Sequence, residues 1–135
     1  MPNALYEKGR EGFLAGEIDW DTDAIKAVLI DAADYTVNLA AHQFLSDIPL
    51  PARVATSAAL TGKTVANGVA DADDLTLPAV SGDPAEALVV YQDTGTAGTS
   101  RLIAYIDTAT GLPVTLNGGD INVAWDNGAN KIFKL

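Results

Sequence analysis

Residues that reverse the backbone punctuate this chain at short intervals. Asn67-Gly68, Ser81-Gly82-Asp83-Pro84, the Gly- and Thr-rich stretch from Asp93 to Thr99, Asn117-Gly118-Gly119-Asp120 and Asp126-Asn127-Gly128 each combine Gly, Asn, Asp or Pro in the way tight turns require. Gly and Asn accept the positive φ of hairpin turns, and Pro ends whatever regular structure precedes it. Turns spaced at about 8–12 residues suit the short strands of a β-sandwich or barrel.

The segments between these turns have matching chemistry. Ile25 to Ile30 reads Ile-Lys-Ala-Val-Leu-Ile, Glu86 to Gln92 contains Leu88-Val-Val-Tyr91, and Arg101 to Ile106 reads Arg-Leu-Ile-Ala-Tyr-Ile. The last two are apolar at consecutive positions, so a strand made of them needs cover on both faces. Leu88, Val90, Ile103 and Tyr105 are expected on adjacent strands joined by the Asp93–Thr99 loop. Ile121 to Trp125 alternates apolar with small or polar residues and reads as a half-buried strand. Arg53 to Thr56, Leu60 to Val65, Leu75 to Val80 and Ile132 to Leu135 are shorter strand candidates. Two regions are less regular. Ala4 to Leu14 reads as a short helix weakened by Gly9 and Gly12. Tyr35 to Ile48 places Leu39, His42, Phe44 and Leu45 at helical spacing before Pro49 and Pro51 forbid continuation. The expected fold is mainly β: a single antiparallel β-sandwich domain, jelly-roll or Ig-like, over residues 1–135, with eight or so strands and one or two short helices.

Charge and composition narrow the function. Eighteen Asp and Glu against eight Lys and Arg give a formal charge of −10 among 135 residues. A surface this acidic repels phosphate backbones and anionic lipid, which argues against nucleic-acid and membrane partners. There is no cysteine, so disulfides, thiolate metal sites and a cysteine nucleophile are excluded. The first residues lack the basic start and apolar run of a signal peptide, and no stretch nears the roughly 20 apolar residues of a membrane span. Synthesis in the cytoplasm without export by a visible signal is expected.

Motifs that imitate chemical sites fail at positions their chemistry needs. Asp19, Asp21 and Asp23 copy the start of a calcium loop, but the turn Gly is Ala24 and the bidentate Glu is Ile30. Asp71, Asp73 and Asp74 form a second acidic knot, which reads as a charged turn. Gly62-Lys63-Thr64 ends like a phosphate-binding loop, yet the required upstream Gly is Ser57 and the following residues do not favour a helix. His42 is the only histidine. A catalytic triad draws on distant elements, whereas Ser46 and Asp47 share the local segment of His42. Beside Phe44 and Leu45, His42 reads as a packing or hydrogen-bonding residue. No catalytic residue, cofactor or metal site is expected, and the chain does not read as an enzyme.

Five phrases resemble a family of small β-rich virion proteins of tailed bacteriophages and prophages. They are Ala4-Leu-Tyr-Glu-Lys-Gly-Arg-Glu-Gly-Phe-Leu14 with Ile18-Asp-Trp20; Phe44-Leu-Ser-Asp-Ile-Pro49 with Ala52-Arg-Val-Ala55; Leu60-Thr-Gly-Lys-Thr64 with Asp71-Ala-Asp-Asp74; Tyr91-Gln-Asp-Thr-Gly95 with Ser100-Arg-Leu-Ile-Ala-Tyr-Ile-Asp107; and Gly118-Gly-Asp-Ile121 with Trp125. They span nearly the whole chain. The resemblance implies a structural part of the particle. Negative charge then favours the outer surface over the genome side, hence a decoration or cement protein bound to the major capsid protein or another virion protein. It implies a homo-oligomer, with a trimer suiting quasi-threefold points of a shell. A tail or head-fibre component, touching a host receptor or carbohydrate, is the alternative. Residues 1–16 are expected to form an N-terminal contacting arm through Leu5, Tyr6, Phe13 and Leu14, because a short helix with two glycines needs a partner for its apolar side chains. Packing of that arm on its own sandwich satisfies the same demand.

Overall fold

A computed structural model describes residues 4–77, 82, 84–107, 117–125 and 132–134. Ten strands and one α-helix are formed among them: β1 (Ala4–Leu5), α1 (Glu7–Leu14), β2 (Ile25–Ile30), β3 (Arg53–Thr56), β4 (Thr64–Ala66), β5 (Val69–Asp71), β6 (Leu75–Leu77), β7 (Ala87–Gln92), β8 (Leu102–Ile106), β9 (Ile121–Val123) and β10 (Phe133–Lys134). The fold is mainly β and antiparallel throughout. A five-stranded sheet runs β1-β8-β7-β2-β3, a three-stranded sheet β10-β5-β4, and a two-stranded sheet β6-β9.

The three runs with the strongest apolar character become the centre of the large sheet. β2 and β7 pair along their whole lengths, from Ile25 opposite Gln92 to Ile30 opposite Ala87. β7 pairs with β8, but Val90 faces Ala104 while Tyr91 faces Leu102, so Ile103 is the extra residue of a bulge. These strands are buried on both faces, as their sequence requires. One face carries Ile25, Leu29, Leu88, Val90 and Ile106, with Ile103 from the bulge. It packs against Ala70 and Phe133 of the three-stranded sheet and Leu77, Ile121 and Val123 of the two-stranded one. This gives the sandwich-like layering. The other face carries Val28, Ile30, Val89, Tyr91, Leu102 and Tyr105, covered by Tyr6, Tyr35, Ile48 and Ala52. Leu88, Val90 and Ile103 thus share a face, and Tyr105 lies on the opposite one.

Tyr35 to Ile48 forms no α-helix. It is a covering loop with a single 3-10 turn at Leu45–Asp47, where the Asp47 carboxylate accepts the backbone N–H groups of Gln43 and Phe44 at 2.8 and 3.0 Å. Capping of this kind competes with continued helix. Of the strand expected over Leu60 to Val65, only the end is extended. The expected strand residues 78–80, Ser81 and Asp83 of the following turn, the Asp126-Asn127-Gly128 turn and Leu135 lie outside the described residues.

The N-terminal segment is part of the domain. β1 is an edge strand on β8, with Ala4 opposite Tyr105 and Leu5 opposite Ala104. Gly9 and Gly12 are the buried residues of α1. A Cβ on Gly9 would stand 2.7 Å from the Leu102 carbonyl oxygen, so the glycines that weaken the helix also let it lie directly on β8.

Candidate interaction surface

The outer sheet displays a row of apolar side chains that outruns its cover. Phe133 pairs with Ala70, and Ala70 pairs with Val65, so the three share one face across β10, β5 and β4. Phe133 and Ala70 are buried, whereas Val65 is 58% exposed. The cover is the end of α1 and the loop after it. Phe13 lies 5.7 Å from Phe133 between ring centroids, and Trp20 meets Phe133 edge-on at 5.2 Å. An apolar groove of about 380 Å³ remains, lined by Phe13, Ile18, Trp20, Val65, Ala70 and Phe133 among others, with Asp19 and Asp21 also at its wall.

The acidic wall is held firmly. The Asp23 carboxylate accepts the Asp19 backbone N–H at 2.8 Å and the Gln92 side-chain amide at 2.6 Å, and Lys63 donates to the Asp23 carbonyl. Trp20 Nε1 donates to the Asp71 carbonyl at 3.1 Å, tying the loop to β5. Asp19 and Asp21 are exposed, and their carboxyl groups interact. The interaction with Asp21 lowers the Asp19 carboxyl from its ordinary value, and the interaction with Asp19 and its charge raise Asp21. The Asp19–Asp23 stretch is thus a closed turn. Among the described residues, no three acidic or histidine side chains converge to hold a metal ion. In the second acidic knot, Asp73 accepts the Thr61 hydroxyl at 3.2 Å and Asp74 accepts the Trp125 backbone N–H at 3.1 Å.

β4 is the free margin of its sheet among the described residues. It joins β5 through Asn67 and Gly68 at φ 54 and 78, the signature of a type I′ hairpin. The closing pair of such a hairpin, here Ala66 and Val69, exchanges both ladder hydrogen bonds. The next pair, Val65 and Ala70, is therefore non-hydrogen-bonded, and the Val65 N–H and C=O face away from β5.

The residues expected to contact a partner separate into three groups. Leu5 and Tyr6, expected on an arm packed either on a partner or on its own sandwich, are buried in the chain's own layers, because β1 adds to β8 and Tyr6 seats under Tyr35. Phe13 is half-buried and forms part of the groove wall. Leu14, at the end of α1, is 89% exposed. Sequence reading missed Val65 and Trp20 as members of this surface. The Asn67-Gly68 signal marks a hairpin next to Val65, but which strand lies outermost depends on pairings distant in sequence.

The remaining motifs have structural roles. Gly62-Lys63-Thr64 leads into β4 and opens no helix. The Ser57 hydroxyl is buried; it accepts the Ala27 N–H at 2.9 Å and donates to the Ala58 carbonyl at 2.7 Å. His42 stacks on Tyr35, whose hydroxyl lies 2.7 Å from His42 Nδ1 and 2.8 Å from the Tyr6 hydroxyl. No helix among the described residues is long and apolar enough to cross a membrane. No protein-family model matches the chain, and a search of curated proteins finds no match.

Proposed function

We propose that this protein is a structural component of a tailed-phage particle that binds the outside of the capsid shell and reinforces it as a decoration or cement protein. The observation that carries this reading is the apolar row that leaves its cover and ends on a strand edge with no neighbour among the described residues. That surface suits lasting contact with another protein better than turnover of a small molecule. The full-length resemblance to small virion proteins supplies the setting. The charge of −10 supports the outer face, away from packaged genome. Reinforcement follows from burial: contact across a joint between shell subunits removes apolar area from water at about 25 cal/mol per Å², and a subunit that loosens must expose it again. Self-association, as a trimer at a quasi-threefold point, would multiply these contacts.

Gold-labelled protein incubated with intact particles tests the reading by electron microscopy. Label is expected over the shell. Label confined to tails or head fibres would replace the cement reading with the tail or fibre one. Particles lacking the protein are also expected to burst at lower temperature and under milder osmotic shock.

A further inference from the structure

We infer that the β4 edge accepts an extended, basic segment of a partner protein as an added strand, with an apolar side chain of that segment continuing the Phe133–Ala70–Val65 row. This deepens the docking role proposed above and rests on it. Three features of the surface specify the occupant. The first is the backbone. The Val65 N–H and C=O face the free side of the sheet, so an incoming residue opposite Val65 would exchange both hydrogen bonds with it. The second is the side-chain row. Paired residues share a face, so the residue opposite Val65 points its side chain toward the groove side, where Val65 is 58% exposed. The third is charge. Asp19 and Asp21 stand side by side at the groove wall and are open to water. A Lys or Arg two residues along the incoming strand lies on the same face and meets that pair.

Among the described residues, the edge also lacks the usual protection against strand addition. Natural edges are blunted by Pro, by bulges or by free Lys side chains. β4 consists of Thr64, Val65 and Ala66 in an unbroken register with β5. The nearby Lys63 is held by its hydrogen bond to the Asp23 carbonyl. Lys134 neighbours Phe133 on β10 and points to the opposite face by strand alternation. A second copy of this chain is the weaker occupant, because each copy carries −10 and would bring a like-charged wall to the edge.

The test uses the full chain, a short acetylated and amidated peptide in which arginine and leucine alternate at every second position with threonine between them, so that both lie on one face of an extended strand, and amide-resolved NMR. The peptide is expected to shift the Val65 amide and the Trp20 indole resonance, with affinity falling as salt rises. A glutamate–leucine peptide should leave both unchanged. Methylating the peptide backbone at the leucine amides should abolish binding while the protein stays unaltered. Val65→Pro, which removes the outward N–H and no β4–β5 bond, should do the same from the protein side. Asp19→Asn with Asp21→Asn should weaken binding of the arginine peptide. Shifts spread over the acidic surface without a focus at Val65, or binding indifferent to backbone methylation, would overturn the inference. So would Val65 shifts that depend on protein concentration with no peptide present, which would assign the edge to a second copy. If labelled protein coats shells but the peptide does not bind, strand addition at β4 fails and the shell reading stands. If the peptide binds and shells stay bare, the edge is a peptide site on a protein with another task.

Discussion

Tyr6, Tyr35 and His42 form a hydrogen-bonded series from the buried layer toward the surface, and its polarity is set by one backbone group. Asn38 N–H reaches His42 Nδ1 at 3.3 Å, so Nδ1 is an acceptor and Tyr35 donates to it; the Tyr6 hydroxyl then completes the series. Burial raises both phenols, Tyr35 to about 12 and Tyr6 further. A phenol whose pKa is higher in the folded state than in the unfolded chain, where it is near 10, contributes stability that is intact below that value. The contribution is lost as pH rises toward the folded value. Urea stability is therefore expected to be level through neutral pH and to fall from about pH 10 upward, with Tyr6→Phe flattening the fall. At pH 7, Tyr6→Phe should cost about 0.5–1.5 kcal/mol, the net worth of one hydrogen bond. Ile103 is fully buried in the bulge of β8, and Ile103→Ala should cost about 2–5 kcal/mol in the same measurement. Residue chemistry made His42 legible as a bonded, packed side chain. The bond from Tyr6 to Tyr35 was not legible, because 29 residues separate them and no local pattern links them.

Elements defined by strong local signals were read correctly. Ile25–Ile30 is β2 to the residue, Arg53–Thr56 is β3, and the runs around Leu88 and Ile103 are β7 and β8 with apolar cover on both sides. Elements decided by tertiary contact were not. Leu39, His42, Phe44 and Leu45 have helical spacing, yet Asp47 caps a 3-10 turn and the segment lies flat on the sheet. The short helix read over Ala4 to Leu14 does form, as α1 over Glu7–Leu14, and its weakening Gly9 and Gly12 are where it touches β8 and Ile18. This reverses the usual sense of a glycine substitution. Gly9→Ala raises helix propensity by about 1 kcal/mol. Its Cβ meets the carbonyl oxygens of Leu102 and Ile103 at 2.7 and 3.0 Å. A net loss of about 1–3 kcal/mol is expected from the forced separation of α1 and β8, measured by urea unfolding. Gly9→Ala more stable than the parent would mean that α1 does not rest on this strand.

At the scale of the whole molecule, the chain buries nearly every strong apolar run and leaves Leu14, Leu50 and Val65 as its large exposed hydrophobics among the described residues. The sandwich-like layers follow from sequence, since strands apolar on both faces demand two covers. The groove does not, because it exists only where the cover from α1 to Asp21 stops short of β4. The same geometry packs the N-terminal segment on the chain's own layers. Removing residues 1–16 takes away β1, α1 and the buried Tyr6, so the truncated chain should lose cooperative unfolding along with any binding. Interface tests belong at the groove, where Val65→Asp should leave the melting temperature within a few degrees of the parent, as exposed changes do, and still reduce binding to particles. The most direct measurement of the proposed role is the copy number of the protein relative to the major capsid protein in purified particles, by quantitative mass spectrometry. A protein that reinforces the shell should be present in fixed proportion to the shell subunit. A handful of copies per particle, or none, would contradict it.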